Sequence, residues 1–338
     1  MEVKSISSGL RVKWSIVDCC GYAFSSCLQG GKLYVTGYDS SKTVFKWKIE
    51  ARDLNSGSPA GSVIAGPEKS WGELLSCAIV GSNLYVAGFH GSGSKEAWDI
   101  LVFSPELDLE ARTRSVAGWP FTIMGSENHV YVGGYEDSVH EGRLVRVEKR
   151  LVESLELRNV LRLKLAGGDD RIFDLEVNPL TGDIWMVGIK ERFGGFIILA
   201  SQDFSIRKIV ELPSRAFTIA FDEEGAAYIG MGSGIAKYSP TGSLMRALKG
   251  PETRKLVYAN GLLYGAQNIE LNVGRNALIG VYSTGLEPIE SLKLEAGNQR
   301  PVFGIGKMAF SDGTIYVAGS ARGGERGESW AVYAIEAR

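Results

Sequence analysis

Seven short stretches built alike constrain this chain more than anything else in it. Leu33-Tyr34-Val35-Thr36-Gly37-Tyr38-Asp39 returns as Leu84-Tyr85-Val86-Ala87-Gly88-Phe89-His90 and as Val130-Tyr131-Val132-Gly133-Gly134-Tyr135-Glu136. Shorter versions are Ile184-Trp185-Met186-Val187-Gly188, Ala227-Tyr228-Ile229-Gly230, Leu263-Tyr264-Gly265 and Ile315-Tyr316-Val317-Ala318-Gly319. Their aromatic residues, from Tyr34 to Tyr316, fall at a mean spacing of roughly 47 positions. One such unit cannot bury both faces of its own sheet, so repetition at this period predicts neighbours stacked around an axis, a β-propeller.

Each repeat parses as an apolar strand, a tight turn, the Tyr-bearing strand, a variable loop and two further strands. In the first repeat these are 22–29, 33–38, 44–54 and 60–65, and in the second 73–80, 84–89, 97–103 and 111–116. The third uses 121–124, 130–135 and 143–147. Its fourth strand is placed at Leu161, Leu163 and Leu165, which alternate as a strand should, while 152–158 reads as a helical turn or a long hairpin. The fourth, fifth and sixth repeats run 172–212, 216–248 and 255–294. The seventh supplies 306–310, 315–319 and 330–335 and lacks a strand. The alternating segment 10–17 is free to fill that gap, which would close the ring and cover an exposed edge. The expectation is one all-β domain spanning 1–338, a seven-bladed β-propeller of four-stranded antiparallel blades closed by the N-terminal strand.

The turns before the Tyr strands carry Gly30-Gly31, Ser82-Asn83, Glu127-Asn128, Asn260-Gly261 and Asp312-Gly313, residues suited to two-residue hairpins. The loops after the Tyr strands (39–42, 90–96, 136–141, 190–194, 267–276 and 320–329) are longer and charged. One face is therefore trimmed to minimal turns and the other carries the diversity, which is where recognition is expected. The repeated Tyr is expected to pack between neighbouring blades, since every repeat has one.

Leu33-Tyr-Val-Thr-Gly-Tyr-Asp-Ser-Ser41 and Asp99-Ile-Leu-Val-Phe103 resemble the seven-bladed β-propeller repeat families of the SBBP-like and YVTN-like groups. The resemblance spans the chain as a repeat pattern and is crispest in repeats one, two, three and seven. It implies the fold, and beyond that only that such propellers serve as binding scaffolds, enzymes and cofactor holders alike.

Charge and ends narrow the partners. Lys and Arg number 37 against 39 Asp and Glu, so no excess of positive charge is available to follow a phosphate backbone, and nucleic acid is not expected as a partner. Arg322-Gly-Gly-Glu-Arg326-Gly-Glu carries its own acids and reads as a solvated loop. No apolar run is long enough to span a bilayer, and the first residues lack a secretory pattern, so a cytoplasmic protein, monomeric or weakly associated, is expected. Of the four cysteines, Cys27 and Cys77 are read as buried thiols in equivalent places, and Cys19 and Cys20 fit no zinc spacing.

Familiar catalytic signatures are missing: there is neither a Gly-x-Ser-x-Gly elbow nor a phosphate-binding Gly-x-x-x-x-Gly-Lys-Ser/Thr loop. Gly304-Ile-Gly306 has no helix after it to serve a dinucleotide, and Asp53-Leu-Asn55-Ser-Gly57 reads as a turn. Aligning the first strands on Phe24, Leu74, Phe121, Phe173 and Phe217 sets Ser25, Leu75, Thr122, Asp174, Thr218, Lys255 and Lys307 at one level of a central tunnel. Three readings of these residues stand. One is a structural ion network. The second is a pocket for a small anionic or polar ligand, made by Arg171, Arg215, Lys255 and Lys307 with Trp71 and Trp119 as walls. The third is a divalent metal held by Glu73, Asp174 and Glu176, as in a metal-assisted hydrolase or lactonase. His90 and His140 are expected on neighbouring loops of the variable face. The leading expectation is a non-enzymatic scaffold without a cofactor, presenting its loop-rich face and tunnel mouth to a protein, peptide or small anionic ligand. A metal enters only with the hydrolase alternative.

Overall fold

A computed structural model describes residues 9–42, 44–66, 70–92, 95–165, 169–190, 194–271, 274–296, 299–304, 306–322 and 328–337. Parts of the charged loops 90–96, 190–194, 267–276 and 320–329 lie outside the described residues, as does Ile305 of the Gly304–Gly306 run. Among the described residues every regular element is a strand.

Strand β1 (Arg11–Cys19) precedes the first repeat, which holds β2 (Gly21–Gln29), β3 (Lys32–Asp39), β4 (Lys46–Asp53) and β5 (Pro59–Ala65). The second repeat runs through β6 (Trp71–Val80), β7 (Asn83–Ser92) and β8 (Lys95–Phe103) into the long β9 (Leu109–Gly125). Without a break β9 becomes the first strand of the third repeat, followed by β10 (His129–Ser138), β11 (Gly142–Leu151) and β12 (Leu157–Leu163). The fourth comprises β13 (Arg171–Val177), β14 (Ile184–Lys190), β15 (Gly194–Ala200) and β16 (Ile206–Leu212). The fifth comprises β17 (Ala216–Phe221), β18 (Ala227–Met231), β19 (Gly234–Tyr238) and β20 (Leu244–Lys249). The sixth has β21 (Glu252–Ala259), β22 (Leu262–Leu271), β23 (Gly274–Ser283) and β24 (Pro288–Lys293). The last has β25 (Arg300–Val302), β26 (Ala309–Ser311), β27 (Thr314–Arg322) and β28 (Glu328–Glu336).

All described pairings between these strands are antiparallel. The first, fourth, fifth and sixth repeats are each a four-stranded sheet, the second and third share a seven-stranded sheet through β9, and β1 joins the last repeat in a five-stranded sheet. There β1 pairs with β28 from Arg11↔Glu336 to Cys19↔Ser329. First strands pack on first strands: β2 on β6, β6 on β9, β9 on β13, β13 on β17, β17 on β21, with β26 touching both β21 and β2.

Burial follows position in the repeat. The second and third strands are covered on both faces, whereas fourth strands such as β16 and β20 turn one side or both to solvent. The repeated aromatic is buried in every repeat, and in four of them its hydroxyl finds an acceptor that Phe could not use. Tyr34 donates to the Pro105 carbonyl at 3.0 Å, Tyr85 to Val152 at 2.9 Å, Tyr228 to Thr284 at 3.0 Å and Tyr316 to Leu54 at 3.2 Å. Each acceptor sits at the hairpin between the third and fourth strands of a neighbouring repeat. These four tyrosines are staples between sheets, each giving its hydroxyl an acceptor in the next repeat, whereas the fourth repeat's Trp185 keeps a buried Nε1 without a partner among the described residues.

Two local expectations shift. The fourth strand of the third repeat starts at Leu157, because 151–156 closes as a tight turn in which the Leu151 N–H reaches the Glu156 carbonyl at 3.0 Å. The first strand of the last repeat is split: β25 pairs with the end of β27 and β26 with its beginning. Between them the backbone turns to the first repeat instead, with Ser26 donating to the Lys307 carbonyl at 3.2 Å and the Lys307 N–H to Ser25 Oγ at 3.2 Å. Asn260-Gly261 and Asp312-Gly313 take the left-handed conformation that tight hairpins need. Asp53 caps its own turn, accepting from the backbone of Asn55 and Ser56 at 3.0 and 2.8 Å.

Candidate functional site

The first strands build the hub, and all six that run unbroken share one irregularity. Pairing with the second strand skips a residue at Phe24, Leu75, Phe121, Phe173, Phe217 and Arg254. Such a bulge leaves a residue outside the ladder and re-aims its side chain. Here the apolar bulge residues of the five repeats from first to fifth gather in one cluster with Phe89, Tyr135 and Ile189, and Trp71 and Trp119 lie against it. Phe121 meets Phe173 at 5.0 Å, Phe173 meets Phe217 at 5.7 Å, and the Arg254 guanidinium lies 3.9 Å over Phe217.

The residue after each bulge is polar and buried: Ser25, Ser76, Thr122, Asp174, Thr218 and Lys255. Sequence alignment put Leu75 at this level. The bulge shifts the second repeat by one, so Leu75 joins the apolar cluster and Ser76 takes the polar place. These side chains tie first strand to first strand. Ser76 Oγ accepts from the Ile123 N–H at 3.2 Å and Thr218 Oγ1 from the Leu256 N–H at 3.3 Å. Asp174 is the densest node. It accepts from Thr122 Oγ1 at 3.2 Å, Thr218 Oγ1 at 3.1 Å, the Ile219 N–H at 3.1 Å and its neighbour Leu175 N–H at 2.9 Å.

The candidate residues divide among three places. Lys307 Nζ lies 3.6 Å from Asp174, hydrogen-bonds Glu176 and reaches the Leu175 carbonyl at 3.3 Å. Burial pulls its pKa down, but Glu176 and Asp174 outweigh that and raise it. These three residues line a cavity of about 300 Å³ at the ends of the first strands, with Phe221, Tyr258 and Met308. Lys255 is sealed from solvent and donates to the Phe24 carbonyl; burial brings its pKa down to about 7, with Cys77 opposing.

At the beginnings of the first strands lies a rim of Tyr22, Glu73, Trp119, Arg171 and Arg215, with Trp71 beside it. Arg171 pairs with Asp169 at 2.6 Å and sits 5.6 Å over the Tyr135 ring. Arg215 is exposed. Trp119 stacks on Phe89 at 4.3 Å and meets Trp71 edge-on at 6.2 Å. Glu73 opens into a second cavity of about 320 Å³, lined also by Tyr22, Tyr38, Arg254, Asn268, Arg322 and Glu328.

Glu73 therefore stands in a different cavity from Asp174 and Glu176, and the three do not share a centre. Among the described residues no three His, Cys, Asp or Glu side chains gather as a metal ion would require. Nor do the four cations converge on one pocket, since Lys255 is enclosed and Lys307 is held by carboxylates. His90 is buried rather than displayed on a loop, because its Nδ1 pairs with the enclosed Asp99, which also binds Arg112 at 2.7 Å.

Some features left little trace in the pattern. The third strands bury charge triads: Glu50 between Lys48 at 2.7 Å and Arg52 at 2.6 Å, and Glu148 between Arg146 and Arg150, both at 2.7 Å. Spacing of charges at i, i+2 and i+4 along a strand was the available signal. Cys19 and Cys20 are joined as a disulfide, while Cys27 and Cys77 are free.

No protein-family model and no curated protein matches the sequence. Solved structures do. The WD40 domain of Neurospora crassa Pan2 superposes with a TM-score of 0.63 at 10% identity, covering 94% of this chain and 89% of that one. The fold is a β-propeller. The polysaccharide lyase Uly1 matches it with a TM-score of 0.61 at 9% identity over 96% of this chain and 99% of the other. Chaetomium thermophilum Sqt1, bound to the N-terminus of ribosomal protein L10, gives 0.56 at 11% identity over 94% and 97%. At such identities the likeness of these propellers to the chain concerns architecture alone.

Proposed function

We propose that the seven repeats are seven blades of one ring, closed by β1 in the last blade, and that the protein is a non-enzymatic interaction scaffold. In this reading the face bearing the long loops, with the rim of the hub at its centre, receives a protein or peptide. The observation that carries it is the composition of that rim. Trp71 and Trp119 meet edge-on there, half-buried, with Arg171 half-buried at the start of β13 and Arg215 exposed just before β17, and bulges and interstrand hydrogen bonds fix the strands that carry or follow them. Trp and Arg are the residues through which interfaces draw most of their energy, and a rigid mount lowers the ordering cost of binding. The capture of a ribosomal-protein N-terminus by Sqt1 is a precedent on the same architecture. The protein would act in the cytoplasm as a monomer or weak oligomer, without nucleic acid.

The test is a peptide selected from a random display library on the wild-type protein. In the Arg171→Ala/Arg215→Ala double variant its affinity should fall about tenfold or more, with thermal unfolding unchanged. Equal affinity for both proteins removes the rim from the interface.

A further inference from the structure

The cavity around Glu73 has a chemistry of its own. It is built by both ends of the chain: Tyr22, Phe24 and Tyr38 from the first repeat, Glu73 from the second, Arg254 and Asn268 from the sixth, and Phe303, Gly304, Arg322 and Glu328 from the last. Its walls are aromatic. Tyr22 stacks on Phe24 at 4.6 Å and Tyr38 on Phe45 at 4.6 Å. The backbone at Gly304 lies so close to Tyr22 that a Cβ there would meet its ring at 2.9 Å.

The cavity's charges cancel. Arg254 is paired with Glu252 at 2.8 Å, and Arg322 with Glu328 at 2.5 Å. The other oxygen of Glu328 accepts from Tyr38 Oη at 2.6 Å. Asn268 is spent on the backbone of Phe303, donating and accepting at 2.9 Å. Glu73 is the exception: among the described residues no hydrogen bond or ion pair engages it. Burial, then the like charges of Glu328 and Glu96, push its pKa up to about 8, so it is a neutral carboxylic acid near pH 7. A half-enclosed carboxyl with no partner among the described residues, beside arginines, an asparagine and a glutamate that are already paired, is a donor and acceptor waiting for a ligand.

We propose that this cavity binds a small uncharged polyhydroxylated molecule, a neutral sugar or the end of a neutral oligosaccharide, with Glu73 hydrogen-bonding a ligand hydroxyl. The aromatic walls suit the C–H faces of a pyranose, the edges of the paired arginines and of Glu328 suit its hydroxyls, and the balanced charge leaves nothing to hold an anion. The cavity opens at the same rim but is not lined by Trp71, Trp119, Arg171 or Arg215, on which the peptide reading rests.

The experiment is calorimetric titration of the full-length protein with glucose, galactose, N-acetylglucosamine and cellobiose, alongside glucuronate and inorganic phosphate as anionic probes. At least one neutral sugar should bind saturably. Glu73→Ala should weaken it about tenfold or more, the loss of a buried hydrogen-bonding group, while Glu73→Gln, which keeps a neutral donor and acceptor, should retain it. Wild-type affinity should fall as pH rises through about 8, and the Gln variant should not follow it. The groups facing Glu73 are Glu328, Glu96, Arg254, Arg322, Tyr22 and Tyr38, and none of the other carboxylates changes in the Gln variant. Should Glu73→Ala fail to fold, Gly304→Ala serves instead, since it drives Tyr22 into the cavity and should abolish binding with the far-ultraviolet spectrum preserved. Failure of every neutral sugar to bind at tens of millimolar overturns the proposal, as does tighter binding of glucuronate or phosphate. Either result leaves the peptide test of the rim standing.

Discussion

Replacing Asp174 asks whether the centre of this molecule is a site or a seam. Its carboxylate accepts hydrogen bonds from Thr122 of the third repeat, from Thr218 and the Ile219 backbone of the fifth, and from its own neighbour Leu175, with Lys307 of the last repeat 3.6 Å away. In Asp174→Ala two hydroxyls and two N–H groups lose an acceptor at a buried position on the wall of the cavity. Each orphaned donor costs on the order of 1–3 kcal/mol, less whatever relaxation recovers, so a net loss of about 3–5 kcal/mol is expected. Against a typical domain stability of about 5–15 kcal/mol that is a large fraction. Asp174→Asn keeps an oxygen at the node and should cost less, about 1–2 kcal/mol, because Lys307 retains Glu176. Glu176 is the internal control: its side chain is 33% exposed, so Glu176→Ala should cost about 1 kcal/mol or less. The measurement is urea unfolding followed by tryptophan fluorescence, with midpoints compared at equal slope. If Asp174→Ala unfolds within about 1 kcal/mol of wild type, the seam argument fails, and the carboxylate must be reconsidered as a group held for a ligand.

Two further perturbations test other parts of the architecture. Lys255 is enclosed with a pKa lowered to about 7, so between pH 7 and its unfolded value the unfolded chain binds the extra proton and stability rises with pH. The penalty is fully present below pH 7, where both states are charged; Lys255→Met should therefore stabilise the protein most at low pH and flatten the rise between pH 7 and about 10 in a series of thermal unfolding curves. Deleting residues 1–17 removes most of β1 and bares the edge of β28, together with Trp14, which donates to the Leu54 carbonyl at 3.1 Å. The truncated protein should aggregate in size-exclusion chromatography; a soluble monomer with unchanged melting would sink the closure argument.

How much of this was legible beforehand depends on whether a residue's partner lies within its own repeat. The Tyr strands, the Asn-Gly and Asp-Gly hairpins and the alternating β1 segment announce themselves, because turn chemistry and period-two burial are local. The bulges do not. Phe24 and Phe217 are read as one level, yet the same rule applied to the second repeat selects Leu74 over Leu75, since two adjacent leucines give no sign of which one leaves the ladder. Buried charge misleads for a related reason. Lys48, Glu50 and Arg52 look like a solvated face, and only a neighbouring repeat, with Lys48 lying 4.4 Å over Trp330, makes that face an interior. Left-handed turns at Leu107, Leu155, Phe204 and Leu286 are equally hidden. A bulky residue at positive φ costs about 1–2 kcal/mol, and these four accept it because their side chains are buried there.

The candidate site shows the same limit more sharply. Types of residue pointed to the hub, and its strands do carry the chosen residues, but assigning Glu73, Asp174 and Glu176 to one centre required knowing where along the strands each one lies. Glu73 stands two positions before its bulge, whereas Asp174 and Glu176 follow theirs by one and three. At about 3.3 Å per residue that separation is roughly 10 Å or more along the strand direction, enough to place carboxylates in different cavities. One cavity then holds acids already answered by Lys307, and the other an acid answered by nothing described. A group without an answer is the better place to look for a ligand, and it was visible only once every neighbour had been accounted for.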